Sequence, residues 1–171
     1  MGERIIYEYR SPSLIPTDHL HDIVQLISDG GEVDNKTLWD KINNAIIIGY
    51  AIANDLVVGT GALKKPHDSS NDNAFVKAGA DVKYEDYPYE LGYVFVKENH
   101  RGAFVASRIC NTLCKMYSRA NIYSTLRSDN RIARLLMERS GFTQSGTSFM
   151  SRNGKDMLML YIRNAQNGLS R

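Results

Sequence analysis

Residues 89 to 130 carry the feature that most restricts what this chain can fold into. An apolar strand, ELGYVFV (Glu90 to Val96), passes through the polar link KENH into RGAFVASRICNTLCKMYS, which predicts a helix beginning at or near Arg101. A helix that starts directly after a strand and a basic, glycine-bearing turn leaves its first amides unpaired beside the positive end of its dipole. Such an end suits a phosphate, so the stretch reads as a cofactor cradle that the other elements support. Val105, Ile109, Leu113 and Met116 recur on one helix face, as expected of a crossover packed on a sheet, and NIYSTLRSD (121–129) supplies the next strand.

Around this centre the pattern alternates between strand and helix. Ile5 to Tyr9 predicts a first strand, broken by Pro12 and Pro16; Leu20, Ile23, Val24 and Ile27 then give the stripe of an amphipathic helix ended by Gly30 and Gly31. A shorter helix follows Asp34, with Leu38, Trp39 and Ile42 inward, whereas His19 and His21, two apart on the first helix, are expected on its solvated surface. AIIIGYAIANDLVVGTGAL (45–63) is a hairpin turning at Asn54 and Asp55. KKPHDSSNDN is a polar loop, Ala74 to Ala80 a helical turn, and YEDYPYE (84–90) either a loop over the sheet edge or a pocket wall that favours cations. Asp129 is placed to cap a helix from Asn130 to about Ser140, with Ile132, Leu135 and Leu136 inward and Gly141 ending it. SGTSFMSRNGKDMLMLYI closes the chain as a hairpin turning at Asn153 and Gly154.

The resulting order is β, α, α, β, β, β, α, β, α, β, β: two antiparallel hairpins flanking one βαβ crossover, in a single domain spanning residues 1–171. That length suffices to bury roughly 70% of the surface an unfolded chain exposes. The net charge of +2 argues against nucleic acid as a partner on electrostatic grounds. No apolar run reaches the ~20 residues of a membrane span, and MGERIIYEYR lacks a signal peptide's apolar core, so the expected location is the cytoplasm. There the Asn35–Lys36–Thr37 sequon has no consequence. Cys110 and Cys114, at i, i+4 on one helix, suit packing better than a disulfide, and no metal site is expected.

At this point the chain resembles the GNAT superfamily of N-acetyltransferases over nearly its whole length. The resemblance rests on a strand followed by Arg101, Gly102, Ala103, Phe104, Val105 and Ala106, with Phe104 where the superfamily has glycine. A second run, Asn130, Ala133, Leu136, Gly141 and Phe142, matches the superfamily's later helix. The resemblance implies a mixed α/β fold: a central, mostly antiparallel sheet with a splayed parallel strand pair and about four flanking helices. It also implies acetyl-CoA as acyl donor, its pantetheine arm along the backbone of Val94, Phe95 and Val96 and its pyrophosphate on the amides from Arg101 to Ala106. Asn130 and Ala133 join that set by the same resemblance, and Arg101 offers a charge-assisted bond. Phe104 is expected to have helical φ, with its ring turned from the phosphates into the core.

The implied chemistry needs a base, because a lysine-like amine of pKa ~10.4 must lose a proton before it attacks a thioester. Glu90 holds the place of the general base in the histone-acetylating branch, with Glu85 and Asp86 in reserve; its alternative is a solvated carboxylate at a strand edge. Met137 stands where many members have a proton-donating tyrosine, which leaves Tyr93, Tyr123 or Ser124 as donor, or a thiolate of pKa ~8.5 departing unassisted. Arg127 orients a ligand or forms a structural ion pair. The leading expectation is acetyl transfer to a primary amine of a small molecule or protein. Its rivals are a CoA-binding regulator that has lost catalysis and an acyltransferase acting on nucleic acid. The exposed C-terminal hairpin offers an edge for a homodimer.

Overall fold

The computed structural model of the chain describes residues 4–31, 35–66 and 73–166. Its elements follow the expected order, with the helical turn at 74–80 forming a further short helix, α3: β1 (Ile6–Arg10), α1 (Thr17–Asp29), α2 (Leu38–Asn43), β2 (Ile47–Ala53), β3 (Leu56–Lys64), α3 (Ala74–Ala78), β4 (Tyr89–Val96), α4 (Val105–Met116), β5 (Ile122–Arg127), α5 (Arg131–Arg139), β6 (Thr143–Met150) and β7 (Met157–Arg163). The strands are ordered β1-β2-β3-β4-β5-β7-β6 in one sheet. β1–β2, β2–β3, β5–β7 and β6–β7 pair antiparallel, whereas β4 and β5 run parallel, in register at Tyr89 with Ile122 and Glu90 with Tyr123. The architecture is the expected mixed, mostly antiparallel α/β arrangement with one parallel pair. Most of the polar loop at 64–73 and Asp34 lie outside the described residues.

The chain divides into two compact units, Met1–Lys64 with Leu91–Leu113 and Lys65–Glu90 with Cys114–Arg171. In the first, Ile23, Ile27, Leu38 and Ile42 of α1 and α2 pack with Ile48, Tyr50 and Val57 of the β2–β3 hairpin. That hairpin turns where expected, because Asn54 (φ 49°) and Asp55 (φ 63°) supply the two left-handed residues of a primed turn. On the opposite sheet face glycines make room for α4: a Cβ at Gly59 would stand 2.5 Å from Val105 Cγ1, and one at Gly61 3.0 Å from Ile109 Cγ2. Glycine here is a matter of space. Val105, Ile109 and Leu113 are buried as expected, but Met116, at the last turn, is exposed.

Three further expectations are corrected in this unit. Trp39 is exposed, and its ring lies 4.8 Å from that of His21. His19 is only partly solvated: the residue is half-buried, its ring stands edge-on to Tyr50 at 5.9 Å and its Nδ1 is buried. α4 begins at Val105 and not at Arg101, because the residues between form turns with Gly102 (φ 80°) and Phe104 (φ 58°) left-handed.

The second unit has its own core, in which Phe75, Ala78, Tyr87, Tyr123, Phe149 and Leu160 pack together. α3 is short but well bounded, since Asn73 Oδ1 accepts from the amides of Phe75 (2.9 Å) and Val76 (3.1 Å) and Gly79 closes it in a left-handed conformation. α5 is capped by Asn130, whose Oδ1 accepts from Ala133 N at 3.0 Å, and not by Asp129, which pairs instead with Arg127 Nε at 3.1 Å. Its expected apolar side is also turned: Ile132 is 81% exposed and Leu135 is exposed, whereas Met137 is buried.

Candidate active site

β4 connects the two groups of residues that the sequence marks for chemistry, and each belongs to one unit. Within the second unit, Glu90 is half-buried beside Tyr123, its partner in the parallel register, and the Tyr123 hydroxyl lies 3.4 Å from Glu90 Oε2. Tyr123 is buried and set by its neighbours: its ring is 5.0 Å from Phe75 at 75° and 6.3 Å from Tyr84 at 65°. Edge-to-face rings of this kind hold one another in place, so the phenol reaches Glu90 from a rigid aromatic wall. Phe75 carries no motif, and only its contact with Tyr123 reveals this role, whereas Tyr84 opens the YEDYPYE segment. The YEDYPYE segment is divided in its use. Tyr87 is buried and donates to Asn164 Oδ1 at 2.6 Å, whereas Glu85 and Asp86 face solvent.

Three residues on from Glu90, Tyr93 breaks the regular strand with φ 53°. A left-handed residue inside a strand costs free energy and persists only where its surroundings enforce it. Here the Tyr93 ring packs into the core of the first unit, with Lys64 Nζ 4.6 Å from its centroid. Gly92 makes that approach feasible, because a Cβ there would stand 2.9 Å from Lys64 Cε. After Tyr93, Val94, Phe95 and Val96 continue β4, the Phe95 ring lying against Gly30 and the valines toward Gly59 and Gly61.

The end of β4 leads into the phosphate-binding candidate within the same unit. Lys97 N donates to Val58 O at 2.8 Å, and Arg101 Nε returns to Val96 O at 3.2 Å, so the turn is tied back to the sheet. The first bond into α4 runs from Arg108 N to Phe104 O at 2.9 Å, which leaves the amides of residues 105 to 107 without a helical carbonyl behind them. Phe104 departs from expectation in both respects. Its φ of 58° is left-handed and not helical, and the residue is 73% exposed, so its ring is not turned into the core. For a non-glycine residue this backbone costs about 1–2 kcal/mol. Phe104 and Gly102 thus give the turn two left-handed residues directly before the uncapped amides of α4.

Other expected site residues have structural partners. Asn130 and Ala133 form the cap of α5, and Arg127 makes its ion pair with Asp129. Ser124 and Met137 are buried. Burial pushes the Cys114 thiol up to about 11, and both cysteines are buried outside any disulfide. Among the described residues no group of His, Cys, Asp and Glu could hold a metal ion, and no helix is long and apolar enough to cross a membrane.

No family model matches the chain, and no curated protein matches its sequence. Solved structures do resemble it. An acetyltransferase of the GNAT family from Streptococcus agalactiae superposes with a TM-score of 0.70 at 12% identity, over 94% of this chain and 96% of that one. The ribosomal-protein-S18-alanine N-acetyltransferase from Escherichia coli gives 0.66 at 12%, over 97% and 99%. NAA60 from Arabidopsis thaliana, solved in complex with acetyl-CoA, gives 0.67 at 14%, over 93% and 99%. The chain has the GNAT fold.

Proposed function

We propose that this protein is an acyl-CoA-dependent N-acyltransferase that moves an acetyl group to a primary amine of a small molecule or protein. The observation that carries the reading is the passage from β4 into α4: a strand broken at Tyr93, a turn left-handed at Gly102 and Phe104, and helix amides open at residues 105 to 107. Those amides and the dipole behind them bind a pyrophosphate, with Arg101 beside them. The backbone of Val94 to Val96 takes the pantetheine arm as an added strand. Acetyl-CoA supplies an activated acyl carbon on a thiol leaving group.

Glu90 then takes the amine's proton through a water, and Tyr123 orients the carboxylate for that task. The amine nitrogen forms a bond to the acyl carbon, the carbon–sulfur bond breaks, and its electron pair leaves on the thiol sulfur. Met137 cannot protonate that sulfur, and a thiol of pKa ~8.5 departs without help at neutral pH. A general base of this kind contributes roughly 10²- to 10⁴-fold.

Release of free thiol from acetyl-CoA, followed across a panel of amines, tests the reading. Glu90→Gln should lower kcat by roughly 10²- to 10⁴-fold while leaving CoA affinity unchanged. CoA binding without turnover on any amine would instead identify a regulator that has kept the fold and lost the chemistry.

A further inference from the structure

Phe104 combines two costs that a core residue would not combine. Its backbone is left-handed at φ 58°, and the residue, 73% exposed, recovers little of the hydrophobic stabilisation that burial would give. Glycine would relieve the strain and remove the exposed apolar surface together. Neither packing nor local conformation therefore accounts for a phenylalanine at this position, whereas a flat partner that covers the ring only when bound does. Position 104 also adjoins the three open amides of α4, its carbonyl accepting the first helical bond from Arg108 N at 2.9 Å.

We infer that the Phe104 ring is a stacking platform for the purine base of the acyl donor. The inference rests on the acyl-CoA reading above and adds a ring contact to its backbone cradle. A pyrophosphate on the amides of 105 to 107 has its base one ribose away, within reach of a ring on the residue that precedes them. The pantetheine arm, aliphatic and amide-bearing, has no comparable π face. Arg101, three residues earlier, is drawn back to Val96 O, and His100 Nδ1 is paired with Asn99 Oδ1 at 2.7 Å, which leaves Phe104 as the apolar ring of this turn. Stacking of a base on an aromatic side chain tolerates any orientation of the base's edges, so it fits an exposed, solvent-rimmed position.

Calorimetric titration of the full chain with three probes separates the parts: CoA, adenosine 3′,5′-bisphosphate and 4′-phosphopantetheine. Phe104→Leu should weaken CoA and the bisphosphate about fivefold or more and leave phosphopantetheine within about twofold, while Phe104→Trp keeps CoA affinity. Phe104→Gly should raise the melting temperature and still weaken CoA, a pairing of opposite signs that a purely structural residue would not give. Leucine and glycine variants that bind CoA as tightly as the wild type would overturn the platform and leave the acyl-CoA reading standing. A wild-type chain that binds no CoA would sink both.

Discussion

Glu8 shows how much one side chain can reveal about the unit it belongs to. It accepts the hydroxyl of Tyr50 at 2.7 Å and pairs with Arg10 Nε at 2.7 Å, and Tyr50 is itself fully buried. The Tyr50 hydrogen bond, more than the Arg10 charge, holds the Glu8 carboxyl below its ordinary 4.5, against the opposing effect of burial. Burial and the same carboxylate push the Tyr50 phenol far above its ordinary range. A carboxyl depressed in the folded state binds fewer protons there than in the unfolded chain, so its contribution is complete above 4.5 and is lost as pH falls through the folded value. Glu8→Gln should therefore be less stable than wild type near neutrality, with the gap closing as urea melts are taken to progressively lower pH. A gap that stays constant with pH would show that the pair contributes no linked stability. Nothing in the sequence around Glu8 announced this pair, because its partner lies 42 residues away and is recognisable only once β1 and β2 are in register.

At the scale of elements, α5 separates what periodicity reads from what packing decides. Its existence, its approximate bounds and its end at Gly141 were legible, since a capping residue followed by helix formers and a glycine marks both termini, although the cap was read one residue early, at Asp129. Its orientation was not. A 3.6-residue stripe through Ile132, Leu135 and Leu136 places them inward, yet Arg134 Nη1 reaches Ser128 O at 3.3 Å and Glu138 Oε1 accepts from Tyr161 at 3.4 Å. Those two polar anchors, one turn apart, bring Met137 in and leave Ile132 outside. The cap follows the same rule, because Asn130 reaches the open amide of Ala133 while Asp129 is engaged by Arg127. Asn130→Ala should cost about 1 kcal/mol in urea unfolding, and Asn130→Asp should recover most of it. An alanine variant as stable as wild type would remove the cap from the account of α5. In the candidate site, β4 and its turn were readable by the same means, whereas the left-handed backbone at Tyr93 and Phe104 was not. Neither residue type favours that conformation, so the tertiary structure imposes it.

The whole molecule raises a different question, because its two compact units are not two segments. The chain passes from one to the other at 64/65, 90/91 and 113/114, and the last two crossings fall inside β4 and α4. No composition shift marks either point, since a strand and a helix run through them, and hence the sequence reads as a single domain. Neither unit can be cut out as a continuous piece of chain, and the midpoint of each crossed element cannot melt without disturbing its other half. We therefore expect thermal unfolding of the 171-residue chain to be one transition, with calorimetric and van't Hoff enthalpies in agreement. A ligand bound to the native state alone adds about 2.7 kcal/mol at a concentration of about 100 Kd, equivalent to roughly 5–10 °C for a chain of this size. CoA should accordingly move the entire transition upward and leave it single. Two separable melts, only one of them shifted by CoA, would show that the units unfold independently and that ligand binding is coupled to the folding of only one of them.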